Sequence, residues 1–338
     1  MILAGGKSTR LYPLTKAVPK PLVPVAGEPI SGHIMRWLAS FGYTSVAMNI
    51  HYHAQAVRDA FADGSAYGVT LDYLHEKELT GSAGAVKALE HLFDETFVVV
   101  GCDDLTDANL DALISFHKKK GALATIGLIE CEEVDQYGVV VTDDDGRIVE
   151  FQEKPAKGTE KSRLVNTGIY VFEPEIFTHI PPDTFYDFGK QVFPALQQAN
   201  AAFYGMRLSG AYWRDIGTPS EYRLATEDVL AGRVRLRGAR AKGIPADTRF
   251  GDDVQVDGDV RIGERVQLGH RVSIEGPAVI GDDVVIGDDC TIARSIVWDR
   301  ARLEPGVRLT DAIVGIGYVV PAGATIHDTI VANEPPEV

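Results

Sequence analysis

VQVDGDVRIGERVQLGHRVSIEGPAVIGDDVVIGDDCTIARSIVW, residues 254–298, repeats with a period that neither a helix nor an ordinary sheet has. Val254, Val260, Val266 and Val272 recur every six residues, and the frame continues through Ala278, Val284, Cys290 and Ile296. Two positions further on, the same step gives Val256, Ile262, Leu268, Ile274, Ile280, Ile286, Ile292 and Trp298. Glycine follows the second frame at Gly263, Gly269, Gly281 and Gly287. A helix buries residues about 3.6 apart and a strand residues about 2 apart. A six-residue period instead marks one short strand plus one turn, and such units stack into a parallel β-helix. After Trp298 the repeat degrades, with Ala301, Val307, Ile313 and Val319 keeping the step on a shifted frame.

Upstream, the pattern is different. SVAMNI (45–50), VTLDYLH (69–75), TFVVVG (96–101) and ALATIGLI (122–129) are nearly continuous apolar runs of strand length, as strands buried on both faces require. Between them, GHIMRWLASFG (32–42), HAQAVRDAFAD (53–63), GAVKALEHLF (84–93) and NLDALISFHKKKG (109–121) carry apolar residues at helical spacing. Gly42 and Gly121 are stop signals for two of these helices. The alternation predicts a Rossmann-like α/β domain with a mostly parallel sheet. Asp145-Gly146, inside YGVVVTDDDGRIVEFQ (137–152), predicts a hairpin turn. The stretch EDVLAGRVRLRGARAKGIPAD (227–247) begins helical and ends basic, as a connection would. The expected division is 1–230 for the α/β domain, 231–247 for a linker and 248–333 for the β-helix.

A chain of 338 residues suits about two domains. Its net charge of −15 argues against non-specific binding to nucleic acid or to an anionic membrane, since both attract positive surfaces. It leaves a nucleotide substrate open, because a few local cations and backbone N–H groups can hold a phosphate. No apolar run approaches the roughly 20 residues of a membrane span, and no signal-peptide pattern opens the sequence. Cys102, Cys131 and Cys290 lack metal-ligand spacing, and a reducing cytoplasm is the expected location. Met1 precedes a glycine turn by only Ile2 and Leu3, so the expectation is either a start further upstream or a frayed first strand.

LAGGKSTRLYPLTKAVPKPLVPVAGEPI (3–30) carries the chemistry. Its Gly-Lys-Ser is not a phosphate-binding P-loop. That motif needs a further glycine where Met1 stands and a helix immediately after, which Pro13, Pro19, Pro21 and Pro24 forbid. What remains is a strand, a glycine turn and a proline-rich loop. Gly5 and Gly6 let backbone N–H groups approach phosphate oxygens, Arg10 offers a fork for two phosphates, and Lys20 offers a point charge.

This run resembles the signature of the sugar nucleotidyltransferase, or NDP-sugar pyrophosphorylase, family: Gly-Gly-x-Gly-Thr-Arg-Leu-x-Pro-Leu-Thr, then Pro-Lys-Pro. Ser8 stands where the signature has its third glycine, and a positive φ there would cost roughly 1 kcal/mol. The repeat region resembles the left-handed β-helix of hexapeptide-repeat proteins. Further matches follow in family order: EKELTGSAGAVKAL (76–89), GCDDLTD (101–107), FQEKP (151–155), VNTGIYVF (165–172) and YWRDIGTPSEY (212–222).

The resemblance implies roles. Arg10, Lys20, Asp103 and Asp215 would be catalytic, with Asp103 and Asp215 holding Mg²⁺. Leu3, Ala4, Gly5, Gly6, Ser8, Thr9, Glu76, Gly81 and Ser82 would bind the nucleotide, Glu76 accepting from a guanine. Gly138, Glu153, Lys154 and Asn166 would hold the sugar phosphate. The implied reaction joins an NTP to a sugar 1-phosphate and releases pyrophosphate. Pro-Lys-Pro with Gly-Ser-Ala-Gly-Ala looks most like the mannose-1-phosphate guanylyltransferases, so GTP and mannose 1-phosphate are the expected pair. Thymidylyl or uridylyl transfer to glucose 1-phosphate and guanylyl transfer to a heptose phosphate are the alternatives. A regulatory subunit without turnover is disfavoured because all four catalytic residues are present. An acyltransferase is disfavoured because His270 is the lone histidine of the regular repeats. The β-helix is expected to stack copies into a homo-oligomer, with no nucleic-acid or membrane partner.

Overall fold

Three of the four continuous apolar runs become inner strands of a sheet; VTLDYLH instead forms an edge strand in which Thr70, Asp72 and His75 are exposed. In the computed structural model, which describes residues 1–238 and 243–334, β1 (Ile2–Leu3), β2 (Ser45–Ile50), β3 (Thr70–His75) and β4 (Phe97–Gly101) run parallel in the order β4-β1-β2-β3. Short β1 is paired on both sides, Ile2 lying opposite Met48 and Val100. Helices Ile30–Ser40, Ala54–Phe61, Gly81–Lys87 and Leu110–Lys120 fall where the 3.6-residue pattern puts them. The last starts on Asn109, whose side chain accepts from Ala112 N, and stops at Gly121 in the left-handed region, φ 55.

Beyond β4 the sheet turns antiparallel. After β5 (Asp104–Thr106) come β6 (Ala124–Glu130), β7 (Gly138–Thr142), β8 (Ile148–Glu153), β9 (Leu164–Phe172) and β10 (Phe203–Arg207). β9 runs antiparallel to β4, β6 and β7, β10 lies parallel to β6, and β7 and β8 form the expected hairpin. β5 leaves the sheet and pairs antiparallel with β11 (Trp213–Asp215). Aromatic rings fill the core beneath, with Phe172 and Phe188 stacked at 5.0 Å and Phe193 and Phe203 at 5.2 Å.

By its contacts the chain forms two compact units, each discontinuous: Met1–Gly6 with Ile34–Asp215, and Lys7–His33 with the chain from Ile216 onward. In the second unit, hexads build three five-stranded parallel sheets, a left-handed β-helix. Ile262 pairs with Ile280, Leu268 with Ile286 and Ile274 with Ile292, which sets one coil at 18 residues, the separation of the Glu264–Asp282 contact. The next coil is one residue shorter: Ile280 pairs with Val297 and Ile286 with Leu303, and the matching Asp282–Asp299 contact spans 17. The later coils keep this 17-residue length, Val297 pairing with Val314 and Val314 with Val331, so the six-residue step through Ile313 and Val319 does not hold: Ala312 and Val314 fill the column, and Val319 is exposed. Val297 takes the interior place that the six-residue step assigns to Trp298, and Trp298 lies outside the apolar column. Residues 239–242 of the expected linker lie outside the described residues. Among the described residues no helix is long and apolar enough to cross a membrane.

The β-helix interior is a column of Ile, Val and Leu with no polar alternative to collapse onto. Ile292→Ala, at a fully buried position, should cost about 2–5 kcal/mol in urea unfolding. A cost under about 0.5 kcal/mol would show that this column does not pack as described.

Candidate active site

Strand β4 ends at Gly101, and the chain turns through Cys102 to Asp103 and Asp104 at the carboxyl edge of the parallel strands, where open α/β sheets bind ligands. The two neighbouring carboxylates have different surroundings. Asp104 is buried; Gly101 N donates to its Oδ2 at 3.2 Å and Trp213 Nε1 to its Oδ1 at 3.1 Å. Gly168, at φ 78, lies against the same carboxylate, and a Cβ there would approach Asp104 Oδ2 to 2.5 Å. Glycine is therefore required twice over, for its φ and for its missing side chain. Asp103 is only half-buried. Asp215 lies opposite Asp104 in the β5–β11 register, so the strand pair brings half-buried Asp103 and Asp215 onto adjoining positions. Asp103 in the turn and Asp215 on β11 are both hard oxygen donors, the ligand type that a divalent cation takes.

A second group surrounds the Gly-rich turn. Ala4 N donates to Asn49 Oδ1 at 2.9 Å, and Asn49 Nδ2 donates to Glu76 Oε2 at 2.6 Å. Thr80 donates to Glu76 Oε1 twice, from N at 3.0 Å and from Oγ1 at 2.6 Å. Buried Glu76 thus accepts three hydrogen bonds and joins the Gly-rich turn, through Asn49, to the loop before helix Gly81–Lys87. A carboxylate has about four acceptor sites, which leaves room for one further donor. A Cβ on Gly5 would meet Asn49 at 2.8 Å and Glu76 at 3.0 Å, so the turn is in close contact with this pair. Leu3, Ala4 and Gly6 continue the same segment, Gly6 being exposed. Beside Gly81, the Ser82 hydroxyl donates to Asp187 Oδ2 at 2.9 Å and accepts from Phe188 N at 3.0 Å. Ala83 N and Gly84 N both donate to Tyr186 O at 3.0 Å, closing the 184–188 loop onto this one.

The third group follows the β7–β8 hairpin. Gly138 lies opposite Glu153 in register, and the Phe151 ring occupies the space that a Cβ would need. Glu153 is exposed as a residue, yet its carboxylate lies against Gly138 and Gly189. Desolvation raises its pKa; Lys154 opposes the shift, Asp187 adds to it, and Lys190 opposes it. Lys154 holds a left-handed backbone at φ 46, a strained conformation for a side chain of this size. Asn166 Nδ2 donates to Tyr170 Oη at 3.0 Å and its Oδ1 accepts from Gly168 N at 2.9 Å.

Ser8, Thr9, Arg10 and Lys20 belong to the second compact unit. The proline-rich loop is a chain of short turns: Thr9–Leu11 and Leu14–Ala17 end before the next proline, and Lys20–Leu22 carries Pro21 in its first turn, where a missing N–H is tolerated. Ser8 has φ 51, the left-handed value that the glycine of the signature would adopt without cost. Arg10 is exposed, whereas Lys20 is buried to 6%.

Trp213, Gly168, Asn49, Asp187 and Lys190 escaped the sequence reading, which selects Asp103 over Asp104 as the metal carboxylate. Trp213 and Gly168 stand inside quoted motifs and could have been found there. Asn49 and Asp187 carry no local signal, because their partners are 27 and 105 residues away in sequence.

Asp104 and Asp103 should separate in a stability measurement. Asp104→Ala leaves a buried indole N–H and a backbone N–H without their acceptor and should cost about 2–4 kcal/mol. Asp103→Asn should stay within about 1 kcal/mol of wild type in the same denaturant titration. The reverse order would exchange the structural and functional assignments.

The sequence profile of the family described as "Nucleotidyl transferase" matches residues 1–232, and that of "Bacterial transferase hexapeptide (six repeats)" matches residues 259–294. A UTP–glucose-1-phosphate uridylyltransferase from Synechocystis is 35% identical over 95% of this chain and 88% of its own length. A mannose-1-phosphate guanylyltransferase from Mycobacterium tuberculosis is 33% identical over 73% of this chain and 69% of its own. A mannose-1-phosphate guanylyltransferase catalytic subunit beta from Drosophila melanogaster is 35% identical over 66% of this chain and 60% of its own. Among solved structures, a Bacillus anthracis protein described as a glucose-1-phosphate thymidylyltransferase shares the fold, with a TM-score of 0.62, 23% identity and coverage of 70% of this chain and 96% of that one. This chain belongs to the nucleotidyl transferase family and carries hexapeptide repeats after the matched region.

Proposed function

We propose that this protein transfers a nucleotidyl group from an NTP to a sugar 1-phosphate, releasing pyrophosphate, with GTP and mannose 1-phosphate as the first pair. The observation that carries this reading is the β5–β11 pairing, which brings Asp215 beside the Asp103 turn although 112 residues separate them in the numbering. The uridylyl- and guanylyltransferase relatives support the reaction class. The likeness of Pro-Lys-Pro and Gly-Ser-Ala-Gly-Ala to the guanylyl-transferring branch, and the similarity to two mannose-1-phosphate guanylyltransferases, support the base.

In this reading the catalytic domain is 1–230, the linker 231–247 and the β-helix domain 248–333. Leu3 to Gly6, with Ser8 and Thr9, offer backbone donors to the triphosphate, and Arg10 and Lys20 neutralise its β- and γ-phosphates. Lys154 holds the sugar phosphate, while Glu153 and Asn166 orient sugar hydroxyls beside Gly138. A sugar-phosphate oxygen, already anionic, forms a bond to the α-phosphorus in line as the bond to pyrophosphate breaks. No proton is moved, so no general base is required. Members of the family use a divalent metal; Asp103 and Asp215 would hold Mg²⁺, which when bound supplies charge neutralisation to both phosphates. Catalysis is then positioning plus electrostatics. The proposal includes a cytoplasmic location and a homo-oligomer formed through the β-helix.

A second reading, uridylyl transfer to glucose 1-phosphate, is favoured by two observations. The uridylyltransferase relative is similar across both parts of the chain. Glu76, with three hydrogen bonds already accepted, has one remaining site, too few for the paired N–H donors of guanine.

Pyrophosphate release measured over a matrix of four common NTPs and several sugar 1-phosphates, with Mg²⁺, decides between them. GTP with mannose 1-phosphate should give the largest kcat/KM, and Asp103→Asn should lower it by about two orders of magnitude or more. Preference for UTP with glucose 1-phosphate selects the second reading, and no turnover with any pair ends both.

Glu153 gives a pH signature. Ionised, it accepts from a sugar hydroxyl; that contact is present above its raised pKa and lost as pH falls through it. The KM for the sugar phosphate should therefore rise on acidification more steeply in wild type than in Glu153→Gln. The titration of the substrate's own phosphate is common to both proteins and cancels in their ratio. Parallel profiles would remove Glu153 from the sugar site.

A further inference from the structure

Along strand Val260–Ile262 of the β-helix, Val260 and Ile262 face the apolar interior, so alternation turns Arg261 outward. Outward arginines elsewhere in this solenoid are solvated: Arg265 and Arg271 are more than half exposed and pair with Asp283 and Asp289 along the surface. Arg261 is only 3% exposed. Its cover is the hairpin of Pro24–Val25 and Glu28–Pro29, from the same compact unit. At the tip, Gly27 has φ 76, and a Cβ there would overlap the Arg261 guanidinium. Burying a guanidinium is expensive, and the charge of nearby Asp299 offsets part of that cost.

A second contact reaches the same hairpin from the other direction. Fully buried Tyr222, on helix Pro219–Leu230, donates from its hydroxyl to Pro24 O at 2.6 Å and accepts from Trp298 Nε1 at 2.9 Å. Trp298 is the residue that the shortened coil removed from the interior column, and it is 2% exposed. His33 completes the set, one ring nitrogen lying 3.0 Å from Val25 O. Three residues of the hexapeptide-repeat region or its adjoining helix therefore hold a hairpin that begins four residues after Lys20.

We propose that Arg261, Tyr222 and Trp298 are positioning residues that fix the phosphate-gripping loop from the β-helix side. The proposal rests on the reading that Arg10 and Lys20 hold the triphosphate. Lys20 opens the short turn Lys20–Leu22, which leads directly into the held hairpin, and a misplacement of about 1 Å at a charge-stabilising group is worth about a hundredfold in rate. The hexapeptide repeats thus contribute to nucleotide turnover as well as to any assembly.

The test uses the full-length protein and pyrophosphate release with the best NTP and sugar 1-phosphate. Trp298→Phe keeps the ring and removes the donor to Tyr222; Gly27→Ala places a methyl on the guanidinium. Each should lower kcat/KM for the NTP at least about fivefold while KM for the sugar 1-phosphate moves less than about twofold, with the thermal unfolding of the protein retained. Arg265→Ala, on the exposed face of the solenoid, should leave both constants unchanged. In a Lys20→Ala background, adding Trp298→Phe should cost less than about twofold more, because the clamp acts through the loop. Should Gly27→Ala fail to fold, Trp298→Phe and its double variant carry the test alone. Wild-type constants in Trp298→Phe, or effects that multiply in the double variant, would overturn the clamp while leaving the loop's role intact. Full activity in Lys20→Ala would overturn the loop's role and the clamp with it.

Discussion

The buried carboxylate of Asp104 joins three segments that are remote in sequence. It takes one hydrogen bond from the end of β4, one from the indole of Trp213 on β11, and packs on the bare backbone of Gly168 in β9. A polar group with this little exposure is tolerable only when its oxygens are hydrogen-bonded, so the three segments have little freedom to separate. Asp103 and Asp215 are each one step from that junction. A buried, hydrogen-bonded side chain thus lies at the junction beside which Asp103 and Asp215, the two proposed metal ligands, are placed.

Strain and close approach recur around the same chemistry. Lys154 and Ser8 hold left-handed backbones that their side chains disfavour, and Gly5, Gly101 and Gly138 each border a side chain that a Cβ would displace. Each is a local cost that the surrounding contacts must hold in place. The Asn49–Glu76–Thr80 chain runs between loops, tying the Gly-rich turn to the segment before helix Gly81–Lys87. A polar network so fully satisfied is rigid, which suits a reaction that relies on orientation without proton transfer.

In the second unit, a one-residue shortening of a coil releases Trp298 from the interior. Tyr222 then links it to Pro24, while Arg261 fills the niche left by Gly27. The β-helix is therefore more than a column with a solvated surface, since one of its outward faces is built to receive a foreign hairpin.

Much of this was legible in the linear order of residues. Period six can only be a solenoid, continuous apolar runs alternating with helical stripes can only be a sheet covered on both faces, and Asp145-Gly146 can hardly be anything but a turn. These features are local, and local spacing dictates them. The signature loop and the candidate carboxylates were also visible, through motifs. What the linear order could not supply was partnership across distance: which of Asp103 and Asp104 is buried, that Glu76 is already engaged by Asn49, or that Trp298 leaves its register for Tyr222. Hydrogen-bond partners and burial depend on which remote segments meet, and only tertiary packing decides that.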